Sequence, residues 1–180
     1  MHISEVVKIK NHIIPIVTLF AILFVFSFCI SCHNKDEKNP EKIVLDSLIY
    51  KDDGKELFTG RMEGKVGNKK VEYDVVNGRK NGEFKLYNES GKLEIEGFIE
   101  NNRNTGLWKY YYPDGQLESE GYFKNDLADS NWVWYYENGI VKERSVFKEG
   151  KRNGRSSRYD EKGNIISENI YKNDKILNEK

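Results

Sequence analysis

The chain has 180 residues, with 29 basic and 29 acidic side chains and a formal net charge of zero. A chain without net positive charge gives no electrostatic case for nucleic-acid binding. Its three histidines and two cysteines all precede residue 34. The rest of the chain therefore lacks the side chains for Cys/His zinc sites, for Ser-His or Cys-His nucleophilic sites and for histidine acid–base chemistry.

The first 31 residues have the pattern of an export signal. Residues 1–12 are polar and mildly basic, and residues 13–30 are an apolar run. A basic segment, an apolar segment and a small residue before a cleavage point are typical of a secretory signal peptide. The alternative is an uncleaved transmembrane anchor, since a run of this length can just span a bilayer. Both interpretations place the following residues outside the cytoplasm, because positive charge holds the first residues inside.

The cysteine after the apolar run predicts a lipid anchor. Ile30-Ser31-Cys32 resembles the end of a bacterial lipoprotein signal, although Cys29 stands where leucine is usual. We expect lipidation of Cys32, since two or more acyl chains on one cysteine give stable membrane anchoring. The expected location is the cell envelope, as an outer-membrane lipoprotein.

Residues 32–42 are nearly all polar and predict a solvated tether. Within them, Lys35-Asp36-Glu37 resembles a short surface-export signal of some bacterial lipoproteins, and the alternative is an ordinary tether. Periplasmic and surface-exposed locations therefore both stay open.

Residues 43–180 predict a repeat domain, because a 24-residue period runs through most of this region. A period of this size indicates an array in which each unit buries its apolar side only against its neighbours. The repeating columns include Gly91, Gly115, Gly139 and Gly163, then Tyr87, Tyr111, Tyr135 and Tyr159, and then Gly78, Asn102, Asp126, Gly150 and Asp174.

Each unit is predicted to be a β-hairpin. In residues 106–129 two aromatic and β-branched runs flank an Asp114-Gly115 turn, and the column of Asp126 supplies a second turn. Glycine at the end of a three-residue loop reaches a positive φ without strain. Gly97 and Gly121 interrupt the alternation of the second strand, which indicates a bulge or a close backbone approach. The predicted fold is all-β: an elongated, single-layer antiparallel meander of hairpins.

The alternation of the first strand of each unit separates two faces. Phe84, Trp108 and Trp132 share one face, and the tyrosine column points to the other. A thin sheet has no second layer to cover both faces, so an uncovered aromatic patch is a candidate contact surface. At the end of the array Ser156 and Arg158 replace the aromatics, as expected of a degenerate terminal unit.

These residues resemble the bacterial variant of the MORN repeat. The resemblance rests on residues 106–117, which read GLWKYYYPDGQL, on residues 77–87, which read NGRKNGEFKLY, and on residues 149–154, which read EGKRNG. Bacterial proteins of this kind are often labelled antitoxins of the YwqK family. The resemblance implies a hairpin array, and the residue content of the array predicts no cofactor and no metal.

The functional prediction is a non-catalytic binding scaffold for a protein partner. The candidate contact residues are the tyrosine column and nearby basic turn residues: Tyr87, Tyr111, Tyr135, Tyr159, Arg79, Arg103 and Arg152. Two alternatives stay open, an antitoxin or immunity protein of a toxin pair and an envelope glycan-binding module. An enzyme is not expected, although Glu94-Glu96 and Glu118-Glu120 lie two apart and alternation would direct each pair to one face, as a glycosidase requires.

Overall fold

The computed structural model describes residues 43–45, 48–51 and 54–179. The predicted signal peptide, Cys32 and the polar tether lie outside these residues. Eleven strands form one antiparallel sheet in chain order, and two short strands form a separate sheet. The strands are β1 (Ile43–Leu45), β2 (Leu48–Tyr50), β3 (Gly60–Val66), β4 (Lys69–Val76), β5 (Arg79–Tyr87), β6 (Leu93–Glu100), β7 (Arg103–Tyr111), β8 (Leu117–Lys124), β9 (Leu127–Tyr135), β10 (Val141–Lys148), β11 (Lys151–Tyr159), β12 (Ile165–Lys172) and β13 (Lys175–Glu179).

The prediction of an all-β, single-layer meander is confirmed. Every strand of the large sheet pairs with its neighbours in sequence, so β5 and β6 form one hairpin and β7 and β8 form the next. Successive hairpins repeat every 24 residues, since β5 begins at Arg79 and β7 begins at Arg103. The first hairpin of the sheet, β3 and β4, is the irregular one, because its turn at residues 67–68 has only two residues.

The three-residue loops all lie at the same ends of the strands, and we call this side of the sheet one edge. In the loop between β7 and β8, the backbone N–H of Gly115 donates to the carbonyl of Tyr112 at 2.8 Å, and Gly115 has a φ of 99°. The loops after β5, β9 and β11 close in the same way. The glycine column is therefore explained by the positive φ of the loop, as the sequence predicted.

The other ends of the strands form the opposite edge, which carries two-residue turns in which both residues have positive φ. Asn125 and Asp126 have φ values of 51° and 67°. This is the backbone geometry of a type I′ turn, which suits the twist of the flanking strands and favours Asn, Asp and Gly. Glu149 is the exception in this series, and its φ of 51° is followed by Gly150.

The core lies on the face that carries the tryptophans. The Trp108 ring is buried between Phe84, at a centroid distance of 5.4 Å, and Phe123, at 5.8 Å. Trp132 continues the row, with Phe123 at 5.2 Å and Trp134 at 5.7 Å. We call this side of the sheet the aromatic face. The contacts of Trp108 with Phe84 and of Trp132 with Phe123 join adjacent hairpins, so the units stabilise one another.

Trp108 and Trp132 each lie flat over a glycine of the preceding hairpin. A Cβ at Gly97 would fall well inside the van der Waals radius of the Trp108 ring, and one at Gly121 would do the same to Trp132. The strand pairing also shifts register at both glycines. The predicted bulge and the predicted close approach are therefore both present.

The segment that directly precedes β3 is hydrogen-bonded to the edge with the two-residue turns. The Ile49 N–H donates to the carbonyl of Gly78 at 2.8 Å, and the Gly78 N–H donates to the carbonyl of Phe58 at 2.7 Å. Ile49 is buried. The chain therefore enters the sheet at this edge, beside β4 and β5.

Candidate partner-binding face

The four candidate tyrosines lie at the end of their strands, on the face opposite the tryptophans, which we call the tyrosine face. Three of their hydroxyls donate to a glutamate of the preceding hairpin. Tyr87 bonds to Glu72 at 3.3 Å, Tyr111 bonds to Glu96 at 2.6 Å, and Tyr135 bonds to Glu120 at 2.9 Å. This row of bonds connects each hairpin to the one before it.

The environment of Tyr111 and Tyr135 keeps their phenols protonated. Burial, reinforced by the bond to Glu96, raises the pKa of the Tyr111 hydroxyl, and burial together with Glu120 raises the pKa of Tyr135. On the same face, hydrogen bonds from Lys70 and Arg61 lower the pKa of Glu72 to about 2. The tyrosine hydroxyls therefore act as hydrogen-bond donors to carboxylates.

A row of alternating charge crosses the middle of the tyrosine face. Lys85 on β5 is the register partner of Glu96 on β6, which is the partner of Lys109 on β7, which is the partner of Glu120 on β8. Lys109 Nζ lies 3.8 Å from Glu96 Oε1. We call these four residues the charge row. Cross-strand pairs of opposite charge stabilise a sheet by roughly 0.2–1 kcal/mol each.

An exposed apolar strip runs beside the charge row. Phe98 is 46% exposed, Leu107 37% and Tyr122 47%, although all three lie within well-paired strands. Leu107 and Tyr122 are register partners, and Phe98 and Leu107 line one open groove with the rim residues Glu83, Lys85, Glu96 and Lys109. We call Phe98, Leu107 and Tyr122 the apolar strip. Exposed apolar groups of this kind with a charged border are typical of an interaction surface.

The prediction that the basic turn residues lie beside the tyrosines is wrong. Arg79 and Arg103 begin β5 and β7, whereas Tyr87 and Tyr111 end them. Eight residues of extended strand separate each pair by about 26 Å. The distance between the arginines and the tyrosines cannot be derived from the 24-residue period, because two residues of one repeat can lie at opposite ends of the same strand.

Arg152 lies on the aromatic face. Its guanidinium donates to the buried carboxylate of Glu143 at 2.9 Å and lies 5.9 Å from the Phe147 ring centroid. The sequence held a signal for this difference. Arg152 is one residue out of the 24-residue register that relates Arg79 to Arg103, and one residue reverses the direction of a strand side chain.

Four segments of the chain match the MORN repeat variant, at residues 80–101, 104–125, 129–149 and 152–173. Each segment covers one of the four regular hairpins, from β5 to β12. The chain is therefore a MORN-repeat protein. No curated protein matches the chain.

The MORN repeat explains the recurring aromatic, glycine and turn columns as parts of one hairpin unit. The departures from the pattern lie within the last two matched segments. Ser156 stands where Trp108 and Trp132 stand in earlier units, and it shares a 2.7 Å hydrogen bond with Ser145, which replaces the glycine beneath the ring. A ring-over-glycine contact is thus replaced by a pair of hydroxyls.

The prediction that Glu94 and Glu96 share a face is wrong. A register shift between Leu86 and Tyr87 places the bulge of β6 at this point. Glu96 accepts from Tyr111 on the tyrosine face, whereas Glu94 pairs at 2.6 Å with Lys69 on the aromatic face. Two acids on opposite faces of a sheet cannot flank one substrate bond.

Two further observations concern the described residues only. Among them, no group of three or more His, Cys, Asp or Glu side chains is placed to hold a metal ion. Nor does this part of the chain contain a helix with the length and apolar character needed to cross a membrane.

Sequence analysis missed the apolar strip. The sequence feature that could have identified it is that Phe98-Ile99 and Tyr122-Phe123 place apolar residues at consecutive positions, which point to opposite faces of a strand. In each pair the second residue is buried and the first is exposed. A strand that is apolar on both faces was visible in the sequence, but its outward residues were not assigned to a contact surface.

Proposed function

We propose that this protein is an exported, lipid-anchored scaffold of the cell envelope whose MORN repeats bind a protein partner through the tyrosine face. Repeat arrays of this kind provide extended surfaces rather than catalytic pockets. The observation that carries the proposal is the apolar strip. Phe98, Leu107 and Tyr122 expose apolar surface beside the charge row.

Three of the four candidate tyrosines support this surface. Because the hydroxyls of Tyr87, Tyr111 and Tyr135 bond to glutamates of the preceding hairpin, these residues fix the relative position of successive units. A partner would then contact ring edges and the neighbouring strip without having to order these side chains, which lowers the entropic cost of binding. Arg79 and Arg103 lie at the far edge and are assigned no part in this contact.

The lipid anchor is supported by the sequence of residues 13–32. A Cys32→Ser variant of the full chain is expected to lose lipidation and to leave the membrane fraction when cells are broken and washed with salt. Retention of the variant in the membrane would favour an uncleaved transmembrane segment instead.

The binding proposal is tested by placing a photoreactive amino acid at Leu107 of the full-length protein in its native membrane. We expect a discrete protein adduct. The matched control is the same amino acid at Leu127, which is 47% exposed but lies at the edge with the two-residue turns. Equal adducts from both positions, or none from Leu107, would overturn the proposal.

A glycan is the second candidate ligand, because the strip exposes the rings of Phe98 and Tyr122 on alternate strands. Aromatic rings offer flat apolar surfaces for stacking. Co-sedimentation of the full-length protein with purified envelope polysaccharide, lost on Phe98→Ala and Tyr122→Ala substitution, would favour this ligand over a protein.

A further inference from the structure

We propose that the partner bound by the tyrosine face is a second copy of this chain. The two copies would pack face to face around a two-fold axis that is parallel to the strands and passes between β6 and β7. This inference rests on the proposed function, since it identifies the partner of the same surface. Its basis is that the charge row is self-complementary about that axis and that Phe98 and Leu107, at the centre of the apolar strip, lie on either side of it.

The charge row matches its own reversed copy. From β5 to β8 the row reads Lys85, Glu96, Lys109, Glu120. Rotation by 180° about an axis parallel to the strands reverses the order of the strands. It does not change the position of a residue along the strand direction, so the row of one copy lies opposite the row of the other. Lys85 then faces Glu120 of the second copy, and Glu96 faces Lys109 of the second copy. All four cross-interface positions therefore bring together opposite charges, which sets register and excludes other partners.

The centre of the apolar strip is matched by the same rotation. Phe98 on β6 faces Leu107 of the second copy, and Leu107 faces Phe98 in return. Tyr122 on β8 flanks this centre and faces Glu83 on β5 of the second copy. Sheets that pack face to face lie about 10 Å apart, with their strands within about 30° of each other because both are twisted. The contact is then concentrated on the strands nearest the axis, which are the strands that expose the strip.

The aromatic face is the weaker candidate for this contact. Trp108 and Trp132 are buried within a single copy by the rings of adjacent hairpins, and each indole N–H already donates to a backbone carbonyl, Phe98 O or Tyr122 O, at 3.1 Å. These two rings therefore offer little exposed apolar surface to a second copy.

The direction of the axis also agrees with a shared membrane. A two-fold axis parallel to the strands leaves the edge with the two-residue turns pointing the same way in both copies. The chain enters the sheet at that edge, through the bond between Ile49 N–H and Gly78 carbonyl. Two anchored chains could therefore associate on one membrane surface. An axis perpendicular to the strands would direct these edges in opposite directions.

The test uses the protein as it is processed in its native membrane, purified in detergent with a reducing agent that excludes disulfides between copies. Its protein mass is measured by sedimentation. We expect twice the mass of one processed chain. Lys109→Glu and Glu96→Lys should each weaken self-association by about tenfold or more, because each sets two pairs of like charge across the axis.

Mixing the two charge-reversed variants separates the interface from effects within one chain. Lys109→Glu supplies glutamates at positions 96 and 109, and Glu96→Lys supplies lysines at both. A mixture should therefore form a heterodimer, although neither variant associates alone. A merely destabilised fold would not be restored by mixing. Leu107→Glu should also abolish self-association, whereas the matched Leu127→Glu should leave it unchanged, with circular dichroism confirming that both variants fold.

The outcomes distinguish this inference from the proposed function. A wild-type monomer, or a mixture that does not associate, overturns the inference. If the photoreactive Leu107 protein nevertheless forms an adduct with a different protein, the proposed function stands and the second copy is not its partner. If dimers form but Leu107→Glu leaves them intact, the interface lies elsewhere and the inference fails.

Discussion

At the residue scale, the tryptophan-over-glycine contact is the most constrained feature of the MORN unit. The Trp132 indole lies flat on Gly121 and donates its N–H to the carbonyl of Tyr122 at 3.1 Å. The Trp132 ring packs on the Gly121 backbone and its indole N–H is hydrogen-bonded, so the ring cannot rotate away without losing the hydrogen bond. The glycine columns at positions 97 and 121 therefore have a packing cause.

Gly121→Ala is expected to destabilise the fold by about 1–3 kcal/mol, since the added Cβ forces the Trp132 ring out of its position. The measurement is the free energy of unfolding from denaturant titration. Gly64→Ala is the matched control, because a Cβ there meets only Val71 Cγ1 at an ordinary 3.8 Å. Equal losses from the two substitutions would show that the ring contact is not the cause.

At the element scale, the residue that completes each two-residue turn also joins that turn to the hairpin before it. The Asp126 N–H donates to the carbonyl of Asn104 at 3.0 Å, and the Asp126 carboxylate accepts from the Asn104 N–H at 2.7 Å. Asn102 and Asp174 make the same two bonds to Lys80 and Arg152. This explains why Asn and Asp occur in the column as well as glycine.

Asp126→Gly separates the hydrogen bond from the turn geometry. Glycine keeps the positive φ but removes the side-chain acceptor, as Gly150 does naturally. We expect a loss of about 1 kcal/mol in the free energy of unfolding. Asp126→Asn, which restores an acceptor oxygen as Asn102 does, should lose much less. A similar loss in both variants would instead assign the effect to the charge of Asp126.

Much of the element structure could be predicted from the sequence, because turns and strands depend on neighbouring residues. The three-residue loops, the positive φ of the Asp126 column and the bulges at Gly97 and Gly121 followed from local chemistry and are confirmed. The side of Glu94 did not follow, because a bulge changes the alternation after one residue. Alternation alone cannot locate where that shift takes effect.

At the scale of the whole molecule, the array has one junction of a different kind. Between β10 and β11 the aromatic row gives way to a polar cluster in which Glu143 accepts from Arg152 at 2.9 Å and from Ser145 at 2.8 Å. Glu143 is only 4% exposed. A buried ion pair contributes little net stability but is costly to break on one side. Residues 151–174 are therefore expected to be held less firmly than the aromatic units.

Amide hydrogen exchange tests this expectation. Residues 151–174 should exchange faster than residues 103–126, since a linear array is stabilised by neighbour contacts. Glu143→Gln should destabilise the junction by roughly 3 kcal/mol and accelerate exchange in residues 151–174 far more than in residues 103–126. The control is Glu137→Gln, at an exposed loop position. Uniform acceleration along the array would show that the sheet opens as one unit.

The sequence by itself determined the period, the hairpin units, the turn positions and the separation of tryptophans from tyrosines, because each depends on residues within one repeat. Only the tertiary structure decided which residues of different repeats meet. Pairing across successive strands assembled the charge row and the apolar strip, separated Arg103 from Tyr111 along one strand, and directed Arg152 to Glu143. The physical reason is that register, bulges and strand length set the position of each residue on a sheet. The repeat pattern of the sequence does not contain the distances between residues of different columns.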